Sequence, residues 1–242
     1  MPLIFLDKIS STNDYLKDLL SKGLLQDGTF VFAAEQTAGR GQMGNRWLAS
    51  KGSSISLSVY KNDLNISLED QFKIAMSVSL AVRQVLALFS DQVSVKWPND
   101  ILIKGKKVSG ILIENKIQGN AVTSSVIGIG LNVLEFPMPE LIQATALSVH
   151  SKVDIKLNYF LEILLIQLDK SLSEMDHLSY LSLKFRYQSQ LFGFGSLKTF
   201  QRSNKDIFQG IIKGITSNGA LVIESKAGLK EFFQFKEVAM KL

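Results

Sequence analysis

Residues 28–60 read GTFVFAAEQTAGRGQMGNRWLASKGSSISLSVY, and the order of their parts separates one fold class from another. GTFVFAAEQ is an apolar, β-type run and reads as a buried strand. The thirteen residues 35–47 then hold three glycines, two arginines and one of the chain's two tryptophans. Such density costs backbone entropy and serves no apolar core, so the segment reads as a loop left bare and cationic for an anion. Ile55, Leu57 and Val59 alternate with serines beyond it, the period of a half-buried strand. Gly39, Gly41 and Gly44 match G-x-G-x-x-G spacing, but a strand follows them, whereas a dinucleotide loop opens a helix. The Gly-Lys-Ser/Thr ending of a Walker A loop is missing too. What remains is a concave nest of amide N–H groups beside Arg40, suited to a phosphate or carboxylate.

Working outward, SSTNDYLKDLLSKG (10–23) offers a Ser/Thr/Asn cap, helical spacing at Tyr15, Leu16, Leu19 and Leu20, and a stop at Gly23. From Ser67, with Asp70 three residues on, an apolar segment runs to Phe89 and predicts a long buried helix. VSVKWPND, KKVSGILIENK and TSSVIGIGLNV read as successive strands of one sheet. LEFPMPE leads into a connector, and KLNYFLEILLIQLDKSLSEM predicts a helix with Asn158 as its cap. From about residue 193 four short strands with turns at SNKD, SNG and KAG predict a small barrel. The expected class is α+β: a mixed sheet flanked by helices over residues 1–191, then a β unit over 192–242. No internal repeat, low-complexity tract or heptad pattern interrupts this plan.

Composition narrows the chemistry. The 242 residues contain no cysteine and two histidines, His150 and His177, which leaves no disulfide, no thiolate nucleophile and no Cys- or His-based metal centre. No cleavable leader or membrane-length apolar run is visible, so a cytoplasmic protein with no membrane partner is expected. The net charge of +5 sits in the tail: residues 192–242 hold eight Lys and Arg against four Asp and Glu, and residues 1–191 hold 19 against 18. A basic unit with Phe194, Phe200, Phe208, Phe232, Phe233 and Phe235 leaves a nucleic-acid module open as one alternative.

A second cluster gives the Gly-rich loop a counterpart. KWPND (96–100) follows an apolar strand, and Pro98 restricts itself and Trp97, so that Asn99 and Asp100 are held at a strand end. Lys107 opens the next strand after the hairpin-like IKGKK. An Asn-Asp pair after proline is equally ordinary turn chemistry. Beside a cationic Gly loop, however, an acid, an amide and a lysine form a kit for activating a carboxylate.

STN, QTAGRGQMGNRW, KWPND, KKVSGILIE and IGIGLNV, in this order and spacing, resemble the biotin protein ligases, and GIIKGITSNGALVIES resembles that family's small SH3-like domain. The resemblance covers nearly the whole chain. It implies a catalytic fold like that of class II aminoacyl-tRNA synthetases and the lipoate ligases. It also implies a two-step reaction, in which biotin and ATP with Mg2+ give biotinyl-5′-AMP and pyrophosphate, and a lysine of a biotin carboxyl carrier domain then takes the biotin. No prosthetic group and no protein-held metal are expected. By matching position, Ser11, Thr12, Asn13, Gln36, Gly39, Arg40, Gly41, Lys107, Gly110, Gly128 and Gly130 would bind biotin. Arg40, Gln42, Asn45, Trp47, Asn99, Lys107 and Asn132 would bind ATP or the adenylate. Lys107, Arg40 and Asp100 would be catalytic, with Asp100 attending the proton of the incoming amine.

Two departures stand out. Gln42 and Asn45 occupy positions where relatives carry Arg, which implies weaker retention of the adenylate. STN at residue 11 leads us to expect a ligase without DNA-binding or repressor activity, monomeric or weakly dimeric. Lipoate or octanoate attachment is the nearest alternative, because it uses a related fold and the same carboxylate-activating logic.

Overall fold

The computed structural model describes residues 1–136 and 143–241, together with the backbone but not the side chain of Met43. The end of LEFPMPE and the first residues of the connector lie outside the described residues. Strand β1 (Leu3–Ile9) leads into helix α1 (Thr12–Ser21), capped by Ser11, whose hydroxyl accepts from the Asp14 amide. Gly23, at φ 69°, turns the chain out of the helix into β2 (Phe30–Gln36). After the Gly-rich loop come β3 (Ser54–Lys61) and β4 (Ile66–Ser67). Helix α2 (Phe72–Ala87) precedes β5 (Val93–Lys96), β6 (Asp100–Ile103), β7 (Lys106–Gln118) and β8 (Ala121–Asn132).

These strands form one sheet in the order β1-β2-β3-β8-β7-β6-β5, with β4 beside β8. β1 and β2 are parallel, joined across α1, and the remaining neighbours are antiparallel, which makes the sheet mixed. Ile55, Leu57, Ile111, Ile127, Ile129 and Leu131 share a core with α2 and with α3 (Leu157–Glu174). Because side chains alternate across a strand, the opposite face shows their neighbours. One row across β3, β8, β7 and β6 reads Ser56, Gly130, Gly110, Asp100, and the next reads Ser58, Gly128, Leu112. A face of serines and glycines leaves room above the sheet.

Three expectations need correction. β3 is buried on both faces, not half-buried, because its serines lie beneath α1 and the Gly-rich loop; Ser58 is fully buried. Ser67 caps a 3₁₀ turn, Leu68–Asp70, and the α-helix begins after it at Phe72. Asn158 lies inside α3, whose start at Lys156 has no side-chain cap. The sequence reading also missed helix α4 (Tyr180–Ser189), in which buried positions are sparse: Leu183 and Tyr187 alone.

The C-terminal segment holds five strands, one more than expected: β9 (Leu197–Arg202), β10 (Ile207–Ile215), β11 (Leu221–Ser225), β12 (Lys230–Phe233) and β13 (Val238–Met240). They form an antiparallel sheet in the order β12-β11-β10-β9-β13. Phe200 and Phe233 are buried, and Phe208 stacks between them with ring centroids 5.6 and 5.7 Å away. These three rings are spent on the unit's own core, whereas Phe194 and Phe232 are exposed. No helix among the described residues is long and apolar enough to cross a membrane.

Candidate active site

The bare face of the sheet, the Gly-rich loop and the C-terminal sheet enclose a cavity of about 460 Å3. Its polar end starts at α1: Ser11, Thr12 and Asn13 line it, each nearly fully buried, and Gln36 at the end of β2 faces them. The Gln36 Oε1 accepts from the Thr12 amide at 2.8 Å and lies 3.0 Å from the Thr12 hydroxyl. Ser58 Oγ stands 2.6 Å from both Thr12 Oγ1 and Asn13 Oδ1. The Asn13 carboxamide lies against Gly128, so that a Cβ there would overlap its Oδ1. Small residues and short polar groups thus make a pocket end rich in donors and acceptors.

The Gly-rich loop closes on itself. The Gly41 amide donates to the Asn45 carbonyl at 2.7 Å and the Trp47 amide to the Gly39 carbonyl at 2.9 Å. The loop lays the Trp47 indole on Gly130 and Gly110, and any side chain at 130 would occupy the indole's place. The Trp47 Nε1 is buried without a partner among the described residues. Arg40, Gly41, Gln42 and Asn45 line the cavity from this side. The Arg40 guanidinium, half-exposed, pairs with Asp14 at 2.5 Å.

At the other end, the hairpin turn at Lys104 and Gly105, both with positive φ, returns β6 to β7. The pairing shifts around Val108, an extra residue that places Lys107 opposite Leu102 and Gly110 opposite Asp100. Lys107 Nζ meets Asp100 Oδ1 at 2.6 Å and stands 5.8 Å from the Trp47 ring centroid. An acid–lysine pair and a guanidinium therefore line one space, while the Gly41, Asn45 and Trp47 amides, expected as an open nest, are spent on carbonyls within the loop. Such a set can hold two anionic reactants together and neutralise charge developing between them.

Comparison with known proteins agrees with this geometry. The sequence model of the biotin/lipoate A/B protein ligase family matches residues 5–132. The bifunctional ligase/repressor BirA of Bacillus spizizenii is 32% identical over 236 residues, which span 96% of this chain and 72% of that protein. The chain belongs to the biotin/lipoate A/B protein ligase family. A biotin--[acetyl-CoA-carboxylase] ligase of Paracoccus denitrificans is 28% identical over 84% of this chain and 87% of its own length. The biotin protein ligase of Aquifex aeolicus, solved in complex with biotin and ATP, superposes with a TM-score of 0.79 at 25% identity, covering 99% of this chain and 98% of that one.

Within this ligase-family fold, two of the expected site residues stand apart from the cavity wall. Gly39 packs against the Trp47 carbonyl and the Gln36 amide. Asn132 is buried, its Nδ2 donating to the Thr145 carbonyl at 3.2 Å and its Oδ1 unpartnered. It ends β8 opposite Ser54, two residues past Gly130 and on the same face of the sheet, where its Nδ2 is committed to the loop around Thr145. Asn99 does line the cavity, but its Nδ2 is committed to the Ile111 carbonyl, which leaves its Oδ1 as the polar atom not tied to that bond. That amide ties the KWPND corner to β7.

Residues that the sequence reading left out of the site complete it. Lys96, inside the KWPND motif, lines the cavity, as do Phe192, Phe235, Lys236 and Met240. The C-terminal group carried no local signal, because its contribution depends on one sheet docking against the other. Ser58 and Glu114 read as ordinary strand polar residues, and only the fold sets them beside Asn13.

Proposed function

We propose that this chain activates biotin with ATP and transfers it to a lysine of a biotin carboxyl carrier domain. The observation that carries the reading is the polar end of the cavity lined by Thr12, Asn13 and Gln36, with Ser58 buried behind them. A ureido ring presents a carbonyl and two N–H groups that such a pocket satisfies. The dithiolane of lipoate has no comparable hydrogen-bonding groups to offer such a polar end.

In the first step a biotin carboxylate oxygen bonds to the α-phosphorus of ATP and the bond to the bridging oxygen breaks, releasing pyrophosphate. Lys107 and Arg40 offset the repulsion between the two anions, and Asp100 holds the Lys107 ammonium in place. The side chains of Gln42 and Asn45 face the nucleotide, and Trp47 covers it. In the second step a neutral carrier amine attacks the acyl carbon, AMP departs with the bonding pair, and Asp100 attends the proton shed by nitrogen.

Magnesium fits as a companion of the triphosphate. Among the described residues no three His, Asp or Glu side chains converge on one point, and Asp100 is the carboxylate on the cavity wall. Magnesium is commonly held by one or two carboxylates together with substrate phosphates. When bound it would neutralise phosphate charge.

The reading further takes residues 1–191 as the catalytic unit and 192–242 as an SH3-like unit, supported by the separate five-stranded sheet and the family likeness of GIIKGITSNGALVIES. It places the reaction in the cytoplasm, on a monomer or weak homodimer.

Mass spectrometry of a carrier domain incubated with the chain, ATP and magnesium tests the proposal. Biotin should add one biotinyl group, lipoate none, and Lys107→Ala should lower the rate about 100-fold or more, the scale of losing a preorganised electrostatic contact. Modification by lipoate alone would move the assignment to lipoate attachment.

A further inference from the structure

Glu114 lies on β7, where the strand passes α1, and no part of the reading above uses it. Its Oε2 accepts from Asn13 Nδ2 at 2.7 Å, while its Oε1 takes Lys17 Nζ at 2.9 Å and lies 3.5 Å from an Arg40 nitrogen. Asp14 joins the same cluster, 3.0 Å from Lys17. The carboxylate is thereby divided: one oxygen faces two cations, the other the amide of Asn13.

The hydrogen bonds beyond Asn13 have two self-consistent senses. In one, the Ser58 hydroxyl donates to Asn13 Oδ1 and accepts from the Thr12 hydroxyl, at 2.6 Å each. In the other, the Asn13 amide is turned over, Nδ2 donates to Ser58, Ser58 donates to Thr12, and Thr12 donates to Gln36 Oε1, 3.0 Å away. Both satisfy every hydroxyl, and the two ends of a carboxamide are nearly the same size. Packing therefore does not choose between them. An ionised carboxylate accepts and never donates, so Glu114 admits only the Nδ2 end of Asn13 and selects the first sense.

We propose that Glu114 is a positioning residue that sets the donor and acceptor directions of the whole polar end of the cavity through Asn13. This inference rests on the reading that this end receives the ureido ring. Burial works against the Glu114 charge, but the hydrogen bonds from Lys17 and Asn13 and the charges of Lys17 and Arg40 outweigh it and hold the carboxyl below its ordinary value. The group is thus an acceptor throughout the neutral range.

Glu114→Gln is the discriminating variant because its shape is almost unchanged. Lys17 and Arg40 draw the new amide's oxygen, its NH2 turns to Asn13, and the network is driven into the opposite sense. Biotin-dependent exchange of labelled pyrophosphate into ATP should show a biotin KM raised about 10- to 100-fold, the span for leaving a buried hydrogen-bonding group mismatched. The KM for ATP and kcat should stay within about 3-fold. Asn13→Asp alone sets two carboxylates face to face and should be worse. The double variant, Asn13→Asp with Glu114→Gln, restores a donor facing an acceptor and should recover at least about tenfold over either single change. A Glu114→Gln protein with unchanged biotin KM, or one losing melting temperature, ATP KM and kcat together without rescue in the double variant, would overturn the proposal. Absence of biotin-dependent exchange in the unaltered chain would instead remove the reading on which it rests.

Discussion

Gln42 opens the short turn Gln42–Gly44 on the cavity wall, with its Oε1 buried and unpartnered. A carboxamide offers an anionic phosphate neutral hydrogen bonds, whereas a guanidinium offers paired, charge-assisted ones about twice as strong. Gln42→Arg should slow release of biotinyl-5′-AMP about 10- to 30-fold, equivalent to roughly 1–2 kcal/mol in a dry site. Dissociation of labelled adenylate measures this directly, and labelling of bystander lysines on albumin should fall with it. Equal release from both proteins would mean that Arg40 and Arg46 already satisfy the phosphate. At this scale much was legible from the residues: Arg40, Gln42, Asn45, Asp100 and Lys107 all reach the cavity, since each sits in a motif whose turn chemistry is local. Asn132 shares the sheet face of Gly130 and spends its Nδ2 on the Thr145 carbonyl, a tertiary contact that no local pattern carries.

Among the elements, α1 packs on β3 and β8 and is joined to β7 by charge. Glu114 binds Lys17 and Asn13 of α1, Lys17 also meets Asp14, and Arg40 of the loop meets Asp14 and Glu114. The cluster depresses the Glu114 carboxyl below 4.5. A depressed acid contributes stability that is complete above its unfolded value and is lost as pH falls through the lower, folded value. Melting temperatures of the unaltered chain and of Glu114→Gln should therefore differ most near pH 7 and converge as pH drops below 4.5. Curves that remain parallel down to pH 3 would show that the cluster adds nothing to stability, as many solvent-exposed ion pairs do. Helix α1 was readable from its cap and apolar spacing, whereas α4 was not, because two buried residues in ten leave almost no periodic signal.

Over the whole molecule, the KWPND corner joins three layers. Trp97 Nε1 donates at 2.8 Å to the Gly219 carbonyl in the turn between β10 and β11, and Tyr187 of α4 donates to the Pro98 carbonyl at 2.7 Å. Burial, with the charge of Asp100 adding to it, keeps the Tyr187 phenol protonated far above its ordinary range. Tyr180, pushed up to about 12 mainly by burial, donates to the Thr216 and Ser217 carbonyls beside Gly219. Trp97→Phe removes one inter-sheet hydrogen bond and should cost about 1 kcal/mol, lowering the melting temperature by roughly 2–4 °C in calorimetry. The KM for ATP should rise with it, since Phe235 and Lys236 line the cavity from the C-terminal side. Unchanged values would mean that the Tyr180 contacts suffice to hold the sheets together.

The sequence alone determined that two strands flank a cationic glycine loop, that a mixed sheet with helices follows, and which motifs carry the chemistry. Those features depend on residues within a turn or two of each other, where cap chemistry, side-chain period and glycine content act directly. Tertiary structure decided what local pattern does not encode. The register of β3, β8 and β7 stacked serines and glycines into one bare floor, the bulge at Val108 aligned Lys107 with Asp100, and the docking of the second sheet closed the cavity. Glu114 reaches Asn13 across 101 positions of chain. A contact of that separation is set by how whole sheets and helices pack, and neither residue's neighbours in sequence contain it.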